Sequence, residues 1–276
     1  GKGALISCVG NNAFGHELFE TISELGIGTQ GIQFTDEAAT TLAFVTLSES
    51  GDRSFSFFRN PGADQKIKKE NLNTRQIDSC QIFHFGSLSL SDEPSRSAAL
   101  FAADYAQKEG KIVSYDPNWR APLWKSQQAG IEGMKLGLKY ANILKLSSEE
   151  LNLLSDTNDL EAGTDFLKRQ YPSIMLIVVT LGSKGCFYRF DKLTGTLPTY
   201  NTKVVDTTGA GDAFWGAFLV KIADNAECLY NKNQMELEQY LDWANASGSL
   251  CAEGRGAIPS IPTSEKIIHL QNSTKR

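Results

Sequence analysis

The order of apolar and polar positions predicts strands and helices that alternate along most of the chain. The apolar run at 4–10 predicts a buried strand, and apolar residues at three- and four-residue intervals over 13–25 predict a helix ending at Gly26. From residue 69 onward the alternation of strand and helix patterns continues. Such alternation is typical of a parallel sheet with helices on both faces. We therefore expect an α/β fold with three layers.

The later part of the chain contains most of the predicted elements. Strands are expected at 81–85, 111–115, 143–146 and 175–180. Helices are expected at 94–109, 127–140, 148–154, 160–170, 210–223, 234–251 and 264–270. A hairpin-like pair of strands is expected at 186–190 and 195–200. Ligands of open α/β sheets bind beyond the carboxyl ends of the strands, so the functional loops are expected at that edge.

One region departs from the alternation. Residues 40–47 and 53–58 are rich in β-branched and aromatic side chains, and the polar cluster 48–52 between them contains a glycine. This pattern predicts a β-hairpin, which could act as a small lid on the α/β domain. The expected organisation is an α/β domain over 1–31 and 61–276 with a β-hairpin lid over 32–60.

The composition disfavours a nucleic-acid-binding protein, a membrane protein, a secreted protein and a zinc site. The 276 residues carry a net charge of −5 and no basic cluster of the kind that favours nucleic-acid binding. The chain has no apolar run of about 18 residues and no signal-peptide pattern, so we expect neither a membrane span nor secretion. The five cysteines lack paired spacing and the three histidines are far apart, which does not favour a zinc site and fits a cytoplasmic location.

The segment 204–214 carries the strongest chemical signal, because a short apolar run leads through a glycine-rich turn into an amphipathic helix. Free N–H groups at a helix start form an anion site, and Gly209 and Gly211 allow a phosphate close to the backbone. Asp212 would repel that anion unless it faces a second substrate and accepts a proton from its hydroxyl group. The pattern therefore predicts phosphoryl transfer to an alcohol. A capped helix after a flexible glycine turn is the structural alternative.

Residues 206–214, with the sequence DTTGAGDAF, resemble the C-terminal signature of the pfkB (ribokinase-like) carbohydrate kinases. Segments over nearly the whole chain look like the fructokinase branch of that family, namely NPGAD at 60–64, IFHFGSL at 82–88, YDPNWR at 115–120, PLW at 122–124 and GAIP at 256–259. The resemblance implies a ribokinase-like three-layer α/β/α sheet with a β lid. It also implies an ATP-dependent sugar kinase with Asp212 as catalytic base and an anion hole formed by Gly209, Ala210 and Gly211.

The resemblance implies a nucleotide site and a cation site at matching positions. The TLGSKG segment at 180–185 looks like the family's nucleotide-binding turn, with Thr180, Gly182 and Gly185 beside ATP, although a plain hairpin would also explain it. Asn245 matches a position beside the adenine. A K⁺ site next to the anion hole, built mostly from backbone carbonyl groups, is implied at Asp206, Thr208, Cys251, Gly254, Gly256 and Ser260.

Two shorter motifs concern the sugar and the metal. Asp116, Asn118 and Arg120 match the family's DxNxR element, which implies that Asn118 binds substrate and that Arg120 bridges a sugar oxygen and the transferred phosphoryl group. Residues 146–150 resemble the family's NxxE motif with serine in place of asparagine, so Glu150 would act on Mg²⁺ through water. An acidic residue that the helix dipole favours at a helix N-terminus is the equal alternative for Glu150.

The family normally begins with a strand carrying a substrate-binding aspartate, followed by a Gly-Gly-x-x-x-Asn segment, and this chain starts after both. We therefore expect a fragment or a truncated product. The leading hypothesis is a fructokinase that uses MgATP and forms a homodimer through the lid. The alternatives are a kinase for another sugar, such as ribose or 2-keto-3-deoxygluconate, and a non-catalytic relative that binds sugar or nucleotide.

Overall fold

The computed structural model describes residues 1–47 and 53–274, so the predicted turn at 48–52 lies outside the described residues. The chain divides into two compact units. The N-terminal unit comprises residues 2–140, and the C-terminal unit comprises residues 141–276 together with Gly1. Among the described residues, every helix falls short of the length and apolar character that crossing a bilayer requires.

The N-terminal unit combines three pairs of strands with four α-helices in its described part. Its elements are β1 (Ala4–Gly10), α1 (Ala13–Glu24), β2 (Gly28–Thr35), β3 (Leu42–Leu47), β4 (Arg53–Phe58), α2 (Thr74–Asp78), β5 (Ile82–Gly86), α3 (Ser95–Lys108), β6 (Ile112–Asp116) and α4 (Gln127–Leu138). β1 and β2 are parallel and joined by α1, β3 and β4 form the predicted antiparallel pair, and β5 and β6 are parallel. The predicted lid boundary at residue 32 falls inside β2.

The first predicted strand is present but is buried only at its carboxyl end. Cys8, Val9 and Gly10 are buried, whereas Ala4 and Leu5 are exposed. Asn12 then caps α1, because its side-chain oxygen accepts the N–H of Gly15 at 3.0 Å. This cap explains why the helix begins where the sequence pattern places it.

The C-terminal unit contains the segments with the strongest chemical signal. Its elements are β7 (Ile143–Ser147), α5 (Ser148–Ser155), α6 (Leu160–Gln170), β8 (Leu176–Thr180), β9 (Cys186–Phe190), β10 (Leu193–Leu197), α7 (Ala210–Asp224), α8 (Glu227–Tyr230), α9 (Gln234–Cys251) and α10 (Ser264–Ser273). The strands lie in the order β7-β8-β9-β10, with β7 and β8 parallel and the later neighbours antiparallel.

Helices cover this sheet on both faces, as the side chains of β9 demonstrate. Tyr188 bonds to Glu238 of α9 on one face. Arg189, the next residue, donates to Thr164 of α6 at 2.9 Å on the other face. Because successive side chains of a strand point to opposite faces, α6 and α9 lie on opposite sides of the sheet. The result is the predicted three-layer arrangement within this unit.

The prediction of the last strand was wrong in its position. β10 occupies Leu193–Leu197 and not 195–200. Phe190 pairs directly with Leu193, so the hairpin turn consists of two residues, and its first residue, Asp191, has a φ of 57°. Asp-Lys is a weak sequence signal for such a turn, since the common two-residue turns contain glycine. The other predicted strands and helices agree closely with the observed ones.

Candidate active site

The turn before α7 has a backbone conformation that requires glycine. Gly209 has a φ of 78°, and a Cβ atom at this position would lie 2.7 Å from the Cβ of Ala257. Its carbonyl accepts the N–H of Ala213 at 2.7 Å, which starts the helix. The turn is closed by the N–H of Ala210, which donates to the carbonyl of Thr207 at 3.1 Å. Gly209 therefore sets the direction in which α7 leaves the turn.

The first turn of α7 presents backbone N–H groups without a partner. Gly209 caps the helix without any side-chain hydrogen bond. Within the part of the chain that the structure describes, no acceptor is found for the N–H groups of Gly211 and Asp212. Both groups lie at the positive end of a 15-residue helix. Unsatisfied donors at that end are suited to bind an anion.

Asp212 is exposed and lies in the same helical turn as these donors. Its negative charge affects the pKa of the neighbouring Cys251 thiol. Burial raises the pKa of the Cys251 thiol, and the carboxylates of Asp212 and Asp206 raise that pKa further. Two carboxylates therefore lie close to the start of α7, beside donors that are suited to an anion. An exposed carboxylate at this place can accept a proton from a bound hydroxyl group.

Asp206 fastens the turn to the chain that follows α9. Its Oδ1 accepts the N–H of Thr208 at 2.9 Å and its Oδ2 accepts the N–H of Gly256 at 3.0 Å. The N–H groups of Val205 and Asp206 both donate to the carbonyl of Ala252. These bonds hold the turn in place although Val205 itself is half exposed.

The residues predicted for a monovalent cation lie in this same loop pair. The Cys251 thiol lies 3.9 Å from the carbonyl oxygen of Thr208, and the Ser260 hydroxyl donates to the carbonyl of Arg255 at 3.1 Å. Gly254 lies against Ser260, where a Cβ atom would overlap the serine side chain. The predicted set is therefore one neighbourhood, composed of Asp206, Thr208, Cys251, Gly254, Gly256 and Ser260.

A cleft of about 520 Å³ runs from the start of α7 to the end of β8. The predicted residues that line it are Thr180, Gly182, Gly185, Ala210, Gly211 and Asn245. The remaining lining residues are small, polar, aliphatic or aromatic, and none of the described lining residues carries a charge. A volume of this size is typical of a small-molecule site.

Two glycines shape the turn after β8. Gly182 has a φ of 59° and Gly185 a φ of 93°. Space is open where a Cβ atom of Gly182 would be, whereas a Cβ atom at Gly185 would overlap the carbonyl of Leu197. The N–H of Leu181 donates to the carbonyl of Gly185 at 2.8 Å, which closes the turn. The backbone of Gly182 is thus exposed toward the cleft without a side chain.

Asn245 of α9 is 3% exposed and forms part of the opposite wall. Its Nδ2 donates to the carbonyl of Pro198 at 3.3 Å and to the Cys186 sulfur at 3.6 Å. One turn further along α9, the Ser249 hydroxyl bonds to that of Thr199 at 2.7 Å. These bonds tie the segment after β10 to α9 and fix the width of the cleft.

The residues of the DxNxR element belong to the N-terminal unit. Asp116 is buried at the end of β6, and its Oδ1 accepts the N–H of Asn118 at 3.1 Å. Asn118 has a φ of 53°, a left-handed conformation that asparagine tolerates. The guanidinium group of Arg120 donates to the carbonyl of Trp119 at 2.8 Å. This turn projects from a buried strand end, so its polar groups are held at fixed positions.

The comparisons with known proteins decide the family. The pattern of the pfkB family carbohydrate kinases matches residues 1–264. The chain belongs to the pfkB family of carbohydrate kinases. It is 41% identical over 276 residues to a protein named probable fructokinase-5 from Arabidopsis thaliana, a match that covers the whole chain and 84% of that protein.

Solved structures of pfkB family members share the fold. A fructokinase from Xylella fastidiosa with bound ATP has a TM-score of 0.90 and 32% identity, covering 97% of this chain and 84% of the other. A fructokinase from Vibrio cholerae O395 in the fructose-, ADP- and calcium-bound form has a TM-score of 0.89 and 30% identity, covering 98% and 85%. A double mutant from the same organism, in the fructose-, ADP- and potassium-bound form, has the same values. The predicted ribokinase-like α/β fold is confirmed, and the chain is a sugar phosphotransferase by family.

Glu150, the remaining predicted pfkB residue, occupies a helix cap. Its carboxylate accepts the N–H of Ser147 at 2.6 Å, and its own N–H donates to the Ser147 hydroxyl at 3.1 Å. This reciprocal pair is a capping box at the start of α5, and Glu150 is 4% exposed. The serine that replaces the family's asparagine thus serves as the N-cap residue.

Sequence reasoning missed one group beside the start of α7 in this pfkB chain. Lys145 lies in β7 and is 7% exposed. Its Nζ lies 3.7 Å from the place that a Cβ atom on Gly211 would occupy. The available signal was a lysine inside the apolar run 143–146, because a buried strand rarely contains a charge without a reason. The pattern could not indicate which residue this lysine faces.

Proposed function

We propose that the chain is an ATP-dependent fructokinase that converts ATP and D-fructose into ADP and D-fructose 6-phosphate. One observation carries this proposal, namely that unsatisfied N–H groups and an exposed carboxylate share the first turn of α7 at the end of an uncharged cleft. The names of the relatives, several of which are fructokinases, support the choice of sugar.

In the proposed reaction the carboxylate of Asp212 accepts the proton of the sugar hydroxyl. The hydroxyl oxygen of the sugar then attacks the terminal phosphorus of ATP, and ADP leaves. The N–H groups of Gly211 and Asp212 then face the oxygens of the transferred group, where negative charge develops. The family motif assigns the anion hole to Gly209, Ala210 and Gly211. In this chain the N–H of Ala210 already donates to the carbonyl of Thr207, so the donors that we propose for the anion are those of Gly211 and Asp212. Exposure of the carboxylate suits this role, since it must reach a substrate and not a partner within the protein.

We assign the nucleotide to the cleft. Thr180, Gly182 and Gly185 would lie beside the phosphates and ribose, because the glycine turn lets the backbone approach the ligand closely. Asn245 would lie beside the adenine. Its Nδ2 is engaged with Pro198 and Cys186, so its role would be to shape the pocket wall as well as to accept hydrogen bonds.

We assign sugar binding to the turn after β6. Asn118 would bind sugar hydroxyl groups, and Arg120 would bind both a sugar oxygen and the transferred phosphoryl group, as a guanidinium fork can. The bond from Asp116 to the N–H of Asn118 supports this assignment, because it holds the turn in a defined conformation without a substrate.

The donor groups of this chain fit the two cations that we propose. Carboxylate and carbonyl oxygens at Asp206, Thr208, Cys251, Gly254, Gly256 and Ser260 suit K⁺, which would stabilise the loops behind the anion hole. Mg²⁺ would be carried by the phosphates of ATP, whose charge it neutralises. Glu150 would contact it through water only, since its carboxylate is engaged by Ser147.

We also propose that the chain forms a homodimer through the β3–β4 hairpin. Phe44 and Phe58 lie on one face of the hairpin with ring centroids 5.4 Å apart and are 53% and 65% exposed. Exposed aromatic pairs of this kind favour an interface. The double variant Phe44→Ser/Phe58→Ser should sediment as a monomer, whereas Phe166→Ser, at a 40% exposed position of α6, should not change the mass. A wild-type monomer at micromolar concentration would contradict the proposal.

The central test is ADP release with a panel of sugars. Purified chain, ATP and Mg²⁺ are combined with fructose, ribose, glucose or 2-keto-3-deoxygluconate, and the product is identified by ³¹P NMR. We expect the highest kcat/KM with fructose and phosphate on its 6-hydroxyl. A higher value with another sugar would reassign the substrate, and ATP binding without ADP release for any sugar would indicate a non-catalytic relative.

A further inference from the structure

Three glycines lie on one face of α4, although glycine is among the poorest helix formers. Gly130, Gly133 and Gly137 are three and four residues apart, so they lie one above another along the helix, and all three are buried. A Cβ atom on Gly137 would overlap the ring of Tyr115 in β6. The helix therefore lacks side chains on this face because aromatic rings occupy the space.

Two tryptophan rings fill the rest of this glycine face. A Cβ atom on Gly130 would overlap the ring of Trp119, and one on Gly133 would overlap the ring of Trp124. The two rings are stacked, with centroids 6.3 Å apart. The Nε1 of Trp124 is buried and has no hydrogen-bond partner in the part of the chain that the structure describes. Close packing against the helix, and not a hydrogen bond of the indole, therefore fixes this ring.

Trp119 lies between the two residues to which we assign sugar binding. Asn118 precedes it with a φ of 53°, and Arg120 follows it with its guanidinium group bonded to the Trp119 carbonyl at 2.8 Å. Asp116 anchors the start of this turn through the N–H of Asn118. A shift of the Trp119 ring would therefore move the backbone that carries both polar side chains, together with the carbonyl that holds the guanidinium group.

We propose that Trp119 is a positioning residue for sugar phosphorylation, whose ring is held by the glycine face of α4 and sets the positions of Asn118 and Arg120. The proposal rests on the assignment of sugar binding to the turn after β6. Trp119 acts through its two neighbours and needs no contact with the sugar. Displacing its ring should weaken sugar binding and spare ATP binding, because the nucleotide is assigned to the cleft of the C-terminal unit.

The test adds one methyl group beneath the Trp119 ring. Gly130→Ala should raise KM for the sugar, expected to be fructose, about tenfold and leave KM for ATP unchanged, since the methyl group would overlap the ring. Gly216→Ala is the matched control, because Gly216 is an exposed glycine of α7 with open space around a Cβ atom, and it should change neither KM. A mere loss of folded protein would lower the apparent kcat and leave both KM values unchanged.

A change of the ring itself keeps the test decisive. Trp119→Phe should also raise KM for the sugar, because the smaller ring leaves a gap above Gly130. In the Gly130→Ala background the same change makes room for the methyl group, so the double variant should have a lower KM for the sugar than Gly130→Ala alone. If Gly130→Ala fails to fold, Trp119→Phe alone is measured with both substrates.

Two results would overturn the inference. One is an unchanged KM for the sugar in the folded variants, and the other is an equal rise of KM for the sugar and for ATP. A wild-type chain that binds ATP and phosphorylates no sugar would instead contradict the proposed function, and the role of Trp119 with it.

Discussion

Two helices of the C-terminal unit begin in opposite ways. At the start of α5, Ser147 and Glu150 exchange hydrogen bonds, so that side chains close the first turn. At the start of α7, Gly209 offers no side chain, and the N–H groups of Gly211 and Asp212 have no acceptor among the described residues. Both helices carry an acidic residue at the third helical position, yet Glu150 is 4% exposed and Asp212 is exposed.

The difference between them lies in the residue before the helix. A serine N-cap accepts the N–H of the third helical residue, and the acid at that position accepts the N–H of the serine. These bonds stabilise the helix and leave fewer backbone N–H groups for a ligand. A glycine in a left-handed conformation turns the chain without accepting any backbone N–H through a side chain, and the acid of the first helical turn is exposed. The same acid-containing first turn therefore serves as a cap in one helix and is available for chemistry in the other.

The sharpest test of this contrast changes each acid into its amide. Asp212→Asn should reduce kcat about 10²- to 10⁴-fold, because the amide cannot accept the hydroxyl proton. ATP affinity should persist, since the N–H groups remain. Glu150→Gln, the matched change in α5, should lower kcat far less, as its amide oxygen can still accept the N–H of Ser147. Steady-state kinetics measure kcat, and titration with ATP measures the affinity of each variant. Equal losses of kcat in the two variants would contradict the different roles of Asp212 and Glu150.

The second test concerns Gly209 and Gly211, the two glycines at the start of α7. Gly211→Ala should lower kcat/KM for ATP about tenfold or more without lowering the free energy of unfolding, because alanine is the better helix former. Its methyl group would meet only ordinary contacts with Lys145, but it would stand where a phosphate approaches. Gly209→Ala should also destabilise the chain by about 1–3 kcal/mol, because of its positive φ and the nearby Ala257.

Urea unfolding and kinetics on the two variants separate the two requirements for glycine. Gly211→Ala serves as the control for a methyl group without backbone strain. A loss of stability in Gly211→Ala equal to that in Gly209→Ala would mean that Gly211 is needed for packing and not for ligand approach.

The contrast also marks what could be predicted from the sequence. The turn at 209–212 is local, so glycines and an acid ahead of an amphipathic run are enough to predict its shape, whereas the anion that it would bind stays a prediction. Asn245 and the residues around Asp206 come from distant segments, and only the family resemblance assigned roles to them. Lys145 was missed because a single charge in an apolar strand does not reveal which loop lies above it. The start of β10 was misplaced because its two-residue turn contains no glycine.

The smallest expected effects on stability come from changes to the capping box that Ser147 and Glu150 form at the start of α5. Ser147→Ala removes the hydroxyl that accepts the N–H of Glu150, and it should lower the free energy of unfolding by about 1 kcal/mol. Asp159→Ala is a matched control, because Asp159 caps α6 in the same way by accepting the N–H of Ala162 at 2.7 Å. Both variants should lose similar stability and keep the Mg²⁺ dependence of turnover.

The Mg²⁺ dependence then decides whether Glu150 has a second role. If its carboxylate also acts on the metal through water, Glu150→Gln should raise the Mg²⁺ concentration for half-maximal turnover severalfold, while Ser147→Ala should not. The charge of the carboxylate attracts a hydrated cation, whereas the cap needs only an acceptor oxygen. Identical Mg²⁺ titrations of all three variants and the wild type would restrict Glu150 to capping α5, and the first turn of α7 would then be the sole proposed place where an acid at the third helical position takes part in the reaction.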